Sequence, residues 1–378
     1  MHPPQNRRKI IVSVTNDLVT DQRVNKVCGT LQEMGFSVFL IGRKLPNSLP
    51  IPKEWTFETK RMLLLFTAGP LFYLEYNLRL FFMLLFSKSE ILLANDLDTL
   101  AANYVAAKLR GFKLVYDSHE LFTEVPELQN NPVKKRIWEY LERSIVPKLK
   151  YTYTVNNSIA EILEGKYNVH FHVVRNIPRR IALKNNVTRS MLELPDDKNI
   201  IILQGSGINI NRGAEELVEA MLFIDNALLL IIGGGDVIEK LKIKTVQLQL
   251  SQKVKFIAKQ PYSELIKYTQ CADLGVSLDK DTCLNYKYSL PNKIFDYIQA
   301  QTPVLTSNLI ELRKVVDAYQ VGTCVQTVAP KEISDAINSI FVNKQQLLIW
   351  KQNCIKAAEE LCWENEQKKL IEVFEKVK

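Results

Sequence analysis

Along almost its whole length the chain alternates short apolar runs with amphipathic stretches of helical period, and this alternation restricts the fold more than any other feature. The runs in the first half are residues 9–15, 37–42, 90–94, 113–116, 151–155 and 171–174; those in the second are 200–204, 227–232, 254–257, 274–278, 303–306 and 322–325. Between them lie segments such as 21–34, where Val24, Val27, Leu31 and Met34 recur at helical steps and Gly35 stops the helix. Strands that are apolar throughout and separated by helices belong to parallel sheets covered on both faces, so the chain is an α/β protein.

The rhythm breaks once, from 177 to 198, where Pro178, Arg179, Arg180, Asn185, Asn186 and Pro195 read as an interdomain connection. A length of 378 residues suits two domains. The division read here is 1–178, then 179–355, then a terminal helix over 356–378 that can pack back on the first domain. Two doubly wound domains facing one another leave a central cleft at the carboxyl ends of their strands, where ligands of such folds bind. With 47% apolar and 24% charged residues, disorder and coiled coil are excluded. The six cysteines form no CxxC pair, which argues against a zinc site or disulfide framework.

Charge is divided unequally. Residues 1–180 carry 25 basic and 17 acidic side chains, whereas residues 181–378 carry 24 of each, so the whole net charge of +8 lies in the first half. Clusters at Arg7-Arg8-Lys9 and Lys134-Lys135-Arg136 suit an anionic membrane surface, and equally suit a merely soluble protein. The start lacks the apolar core of a signal peptide, which gives a cytoplasmic expectation, with peripheral contact at the inner membrane face. The Leu- and Phe-rich stretch 62–86 has a longest uncharged run of 13 residues, divided by Pro70. That falls short of the roughly 20 a spanning helix needs. The stretch reads as a core helix over 71–86 with Glu75 and Arg79 paired on its outer face, or as an amphipathic helix touching a bilayer.

Chemistry is sought in the loops that follow the strands. Gly205-Ser206-Gly207 follows one run, Arg212-Gly213 opens the next helix over 214–223, and Gly233-Gly234-Gly235-Asp236 repeats the arrangement one unit later. Small residues let backbone amides approach an anion, and Arg212 adds donors that match phosphate; each loop also fits an ordinary βα turn. In Tyr288-Ser289-Leu290-Pro291-Asn292-Lys293-Ile294-Phe295-Asp296, Ser289 can cap a helix, Pro291 suits its first turn, Lys293 can meet a phosphate and Asp296 can hold two vicinal hydroxyls. A capped helix with a solvated Lys and Asp explains the same residues.

The segment from Pro291 to Tyr297, followed by Thr302-Pro303-Val304, resembles the donor-site helix of family 4 glycosyltransferases, retaining enzymes of the GT-B fold. Thr15-Asn16-Asp17, Asp21-Gln22-Arg23-Val24, Ala94-Asn95-Asp96-Leu97-Asp98, Tyr116-Asp117-Ser118-His119-Glu120 and Arg212-Gly213 agree with it in the family's order. The resemblance implies that Asp296, at a position usually Glu, binds the ribose of a nucleotide-sugar. Eight residues earlier Tyr288 replaces a second Glu that contacts the sugar. Ser206 replaces an Arg, leaving Arg212 and Lys293 to neutralise the diphosphate. His119 falls where the family places an imidazole facing the transferred sugar. Gly205, Gly207, Gly234, Ser289, Pro291 and Asn292 complete the implied donor site, and Asn16, Asp17 and Arg23 lie on the implied acceptor side.

Asp96-Leu97-Asp98 does not read as a metal site: it ends a first-domain strand, Asp98 reads as the N-cap of a helix to Leu109, and the resemblance implies charge handling by Arg, Lys and helix dipoles. No metal and no separate cofactor are expected, and no nucleic acid partner. The expected activity is transfer of a hexose from a nucleotide diphosphate sugar to a hydroxyl of a glycan or lipid-linked acceptor in surface polysaccharide or glycolipid synthesis. A sugar-nucleotide epimerase of the same fold and a non-catalytic nucleotide-sugar-binding member are the alternatives.

Overall fold

A computed structural model describes residues 8–183 and 187–378; Arg7 of the basic cluster and Asn185 and Asn186 of the connection lie outside the described residues. The chain forms two compact units, one running to Asn176 and joined by Asn365–Lys378, the other comprising Ile177–Glu364.

The first unit contains strands β1 (Lys9–Asp17), β2 (Ser37–Arg43), β3 (Glu58–Met62), β4 (Ile91–Asn95), β5 (Lys113–Ser118), β6 (Tyr151–Thr154) and β7 (His172–Val173). The helices that matter below are α1 (Gln22–Glu33), α2 (Gly69–Leu85), α3 (Leu97–Arg110) and α4 (Pro132–Ile145). Its sheet has the order β3-β2-β1-β4-β5-β6-β7 with parallel pairing throughout. The second unit contains β8 (Asn199–Gly205), β9 (Ala227–Gly233), β10 (Val254–Ile257), β11 (Leu274–Ser277), β12 (Val304–Ser307) and β13 (Gly322–Val325), in the parallel order β10-β9-β8-β11-β12-β13. Its relevant helices are α5 (Ala214–Ala220), α6 (Tyr262–Cys271) and α7 (Lys293–Gln299), and α8 (Trp363–Glu375) ends the chain. Each unit is therefore a doubly wound α/β sheet as the alternation predicts, reversing strand order at β1 in one and β8 in the other.

The central strands explain why the pattern is legible. All five residues of β4 are buried, as are Ile200, Ile201, Ile202 and Leu203 of β8, because helices cover both sheet faces. β3 escapes the sequence reading for the opposite reason. It is an edge strand, Glu-Thr-Lys-Arg-Met, in which only Met62 is buried. α1 follows expectation: Asp21 accepts a hydrogen bond from the Val24 amide, and Gly35 adopts φ 91° just past the end. α2 buries Phe72, Tyr76, Leu80 and Leu84 on the sheet, and Arg79 pairs with Glu75 at 2.6 Å on its outer face. From Asn365 onward α8 packs in the first unit, where Phe374 meets Phe36 with ring centroids 6.2 Å apart and Glu366 accepts from the Arg175 amide at 2.8 Å.

Three local expectations need correction. Asp98 is not an N-cap: α3 begins at Leu97, and the Asp98 carboxylate turns inward to accept from the Thr15 hydroxyl at 2.5 Å. Ser289 and Pro291 do not open α7, which begins at Lys293. The Ser289 hydroxyl instead donates to the Tyr286 carbonyl and closes the preceding turn. The helix expected over 214–223 ends at Ala220 and tightens into a 3₁₀ turn over Met221–Phe223.

Candidate active site

At the carboxyl end of the second sheet the glycine loops after β8 and β9 lock to each other. The Gly234 amide donates to the Gly205 carbonyl at 3.0 Å, and the Ile208 amide donates to the Gly234 carbonyl at 2.9 Å. Gly233 has φ 134°, and a Cβ there would lie 1.8 Å from the Gly205 carbonyl oxygen, so no side chain fits. The expectation that both loops offer free amides to an anion is thus corrected at Gly234, whose N–H is already bonded.

Arg212 leads into α5 through Gly213, whose φ of 73° and approach to Leu278 again require glycine. The guanidinium donates through Nη1 to Asp279 at 2.9 Å and lies 4.3 Å from the centroid of the Tyr286 ring. Burial works against its charge, and the fully buried Asp279 carboxylate more than offsets this, raising the pKa further. Its Nε is buried without a partner. Lys293, in the first turn of α7, forms no ion pair among the described residues. Burial lowers its pKa, Asp279 opposes that, and Arg212 adds to it. Two cations thus share one carboxylate, and only Lys293 has its charge disfavoured.

One turn along α7, Asp296 accepts from the Tyr262 hydroxyl at 2.8 Å and from the Gln204 side-chain amide at 3.4 Å. Gln204 is fixed in turn by the Thr269 hydroxyl at 2.7 Å. Tyr262 therefore braces the shortened carboxylate. Its own pKa is raised by burial and then by Asp296. Tyr288 and Ser289 lie in the segment before α7, both half-buried, and Pro291 is half-buried while Asn292 is exposed.

At the carboxyl end of the first sheet a second cluster forms. His119, in the loop after β5, bonds through Nδ1 to Asp96 at 3.1 Å and through Nε2 to Asp117 at 3.0 Å, and its backbone amide donates to Asp96 at 2.8 Å. Burial opposes its charge, and the two carboxylates outweigh that, holding the imidazole protonated well above its usual range. Asp117 is also bound by Arg23, Nε at 2.9 Å and Nη2 at 2.7 Å, with Arg23 Nη1 on the Val174 carbonyl at 2.9 Å. Burial pushes the Asp117 carboxyl up, but Arg23 and His119 bring it down to about 2. Asp98, beneath them, is pushed up to about 7 by burial and then by Asp96. A charged His119 with both N–H groups on carboxylates is a fixed positive charge rather than a free donor or a base.

The acceptor-side expectations change accordingly. Arg23 is buried and held by Asp117, and Asp17 is buried, accepting from the Val19 amide at 3.1 Å and pairing with Arg61 at 3.4 Å. Neither presents a free polar group to a ligand. Asn16 is exposed, donating to Asp21 at 3.2 Å. Asp279, Tyr262 and Gln204 escape the sequence reading; Asp279 has a sequence signal, since it closely follows the end of β11, whereas Tyr262 has none. Among the described residues no group of three or more His, Cys, Asp or Glu has the arrangement of a metal site: Asp96 faces His119 while Asp98 faces Thr15.

No curated protein sequence matches the chain. Among solved structures it is similar to sucrose-phosphate synthase from Thermosynechococcus elongatus (TM-score 0.81, 16% identity, 98% of this chain and 99% of that one). It is also similar to Anabaena HepE in complex with UDP-glucose (0.77, 13%, 97% and 99%) and to a glycosyltransferase from Rickettsia africae (0.75, 15%, 99% and 99%). At such identities the likeness shows the fold, which is GT-B. Residues 22–183 match the family described as Glycosyltransferase Family 4, and residues 187–361 match Glycosyl transferases group 1. Covered by these two matches in turn, the chain belongs to the family 4, group 1 glycosyltransferases of GT-B fold.

Proposed function

We propose that the protein is a retaining hexosyltransferase that takes a nucleoside diphosphate sugar as donor and a hydroxyl of a glycan or lipid-linked molecule as acceptor, in cell-surface polysaccharide or glycolipid synthesis. The observation that carries the donor assignment is the pairing of Lys293, free of any ion pair among the described residues, with Arg212 beside Asp279, one helical turn from the braced carboxylate of Asp296. The cations match a diphosphate and the carboxylate matches the two hydroxyls of a ribose. HepE, of the same fold, binds UDP-glucose, which supports a sugar nucleotide here.

The chemistry assigned to these groups is electrostatic. As the carbon–oxygen bond to the nucleoside diphosphate breaks, negative charge grows on the leaving oxygen, and Arg212 and Lys293 stabilise it more than they stabilise the intact donor. In the first unit, the protonated His119, both of whose N–H groups are held by Asp96 and Asp117, supplies a fixed positive charge rather than a free hydrogen-bond donor. Retention follows from the resemblance, with the acceptor attacking on the face that the leaving group vacates. The residues Gly205, Ser206, Gly207, Tyr288, Ser289, Pro291 and Asn292 are proposed to line the donor site, and no metal is required.

A thermal-shift screen against UDP, GDP and their sugars tests this reading. A ligand at 100 times its dissociation constant adds about 2.7 kcal/mol to stability, an easily read shift. Stabilisation by none of them would overturn the donor assignment. Incubation with donor alone separates transfer from epimerisation, since an epimerase converts the sugar without an acceptor.

A further inference from the structure

We propose that the outer face of the helical layer α2–α3–α4 of the first unit docks on an anionic lipid bilayer. The proposal adds a membrane setting to the transferase reading above, but it rests on a surface outside the donor site.

α2 is apolar on both sides. Its inner row fills the core, while Leu71, Leu74, Leu78 and Phe82 on the other side are each at least 50% exposed, and Phe86 just beyond the helix is 77% exposed. A helix of this kind on a protein surface faces something other than water. The neighbouring helices extend the surface: α2 packs on α3 and α3 on α4, and Tyr73 of α2 meets Trp138 of α4 with centroids 5.0 Å apart. α3 adds exposed Val105 and Leu109, and α4 adds Val133, Ile137 and Tyr140. Among the described residues of the first unit before α8, every large exposed apolar side chain except Leu49 lies on these helices, beside their ends or in the loop entering α2. In the second unit such residues are scattered over many elements, so the concentration is particular to this face.

The loop entering α2 is held in the exposing conformation. Glu75 accepts from the Leu65 amide at 2.9 Å and from the Phe66 amide at 3.0 Å, and Arg79 donates to the Leu63 carbonyl at 3.0 Å. The outer-face ion pair thus fixes a loop whose Leu63, Leu65 and Phe66 side chains point to solvent, Leu65 being 81% exposed.

Charge selects the occupant. Lys108, Arg110, Lys134 and Arg136 are exposed on this layer. Its acidic residues are neutralised or hidden: Glu75 pairs with Arg79, Glu139 pairs with Arg143, and Asp98 and Glu142 are buried. A second copy docking the same face would bring like charges together, whereas an anionic leaflet attracts the cations and accepts the apolar side chains. No helix among the described residues is long and apolar enough to cross a membrane, so the mode is docking on the surface.

The test uses the full chain and sedimentation with vesicles, either phosphatidylcholine alone or phosphatidylcholine mixed with phosphatidylglycerol. The wild type is expected to partition at least about tenfold more strongly onto the anionic vesicles at low salt, and to be released by high salt. The double substitution Leu78→Ser and Phe82→Ser is expected to abolish sedimentation while leaving the UDP-induced thermal shift intact, which separates loss of docking from loss of fold or of the donor site. In an otherwise wild-type chain, Phe82→Trp should show blue-shifted emission only with anionic vesicles. Absence of wild-type sedimentation, sedimentation that survives the double substitution, or a dimer in solution that the same substitutions dissociate would each overturn the proposal.

Discussion

Replacing Asp117 by Asn tests whether the first-unit cluster is held together by charge. The Asp117 carboxylate is fully buried and accepts two hydrogen bonds from Arg23, at 2.7 and 2.9 Å, as well as one from His119 at 3.0 Å. The amide of Asn can still accept from one partner, but it carries no charge. His119 can answer by releasing its proton; Arg23, which is buried and always charged, cannot. Removing one partner of a buried ion pair costs about 3–5 kcal/mol, because the other charge is left uncompensated. The pKa agrees in direction. A carboxyl held at about 2 against the ordinary 3.8 contributes stability at pH values above its unfolded pKa, and that contribution is lost as pH falls through the folded value. The linkage from this shift alone is on the order of 2 kcal/mol, in the same direction as the cost of the substitution. At roughly 2–4 °C per kcal/mol for a unit of this size, Asp117→Asn should lower the melting temperature of the first unit by about 10 °C. Calorimetry of Asp117→Asn, of Arg23→Met and of the two combined completes the assay. The double variant should be markedly less destabilised than the sum of the single ones, since it leaves no buried charge. Additive losses, or a loss below about 1 kcal/mol for Asp117→Asn, would refute the reasoning.

Asp296→Ala should weaken UDP-sugar binding by roughly 1.5–3 kcal/mol, or about 10- to 100-fold, without unfolding the free protein, although the Tyr262 hydroxyl loses its partner; unchanged affinity in calorimetry removes it from the site. Lys293→Met should lower kcat about 100-fold, as for other donors that stabilise a leaving group, yet leave stability unchanged or raised, because burial already disfavours its charge. Activity should persist in excess EDTA; loss on chelation that magnesium or manganese restores would reinstate a metal. His119 has a raised folded pKa, so its stabilisation is complete below the ordinary imidazole value and fades as pH rises through the folded one. The stability gap between wild type and His119→Gln, read from urea titrations, should therefore shrink from pH 6 toward alkaline pH, and a constant gap would exclude a charged imidazole.

Local pattern by itself determined the two doubly wound sheets, because strands buried on both faces must be continuously apolar and helices between them must show a 3.6-residue period. The donor-side candidates Arg212, Lys293 and Asp296 came instead from the resemblance to family 4 glycosyltransferases, because the local pattern fitted ordinary βα turns and a capped helix as well. Tertiary structure decided what those residues touch. Asp117 meets Arg23 across 94 positions and Tyr262 meets Asp296 across 34, pairings set by strand order that no local spacing encodes. It turned Asp98 inward and engaged Arg23 and Asp17 with other side chains, because burial leaves a charged group no stable choice but a partner or a proton. It likewise decided the two faces of α2: composition shows a Leu- and Phe-rich helix, but only packing shows which row is covered by the sheet and which, beside a layer of exposed cations, remains exposed.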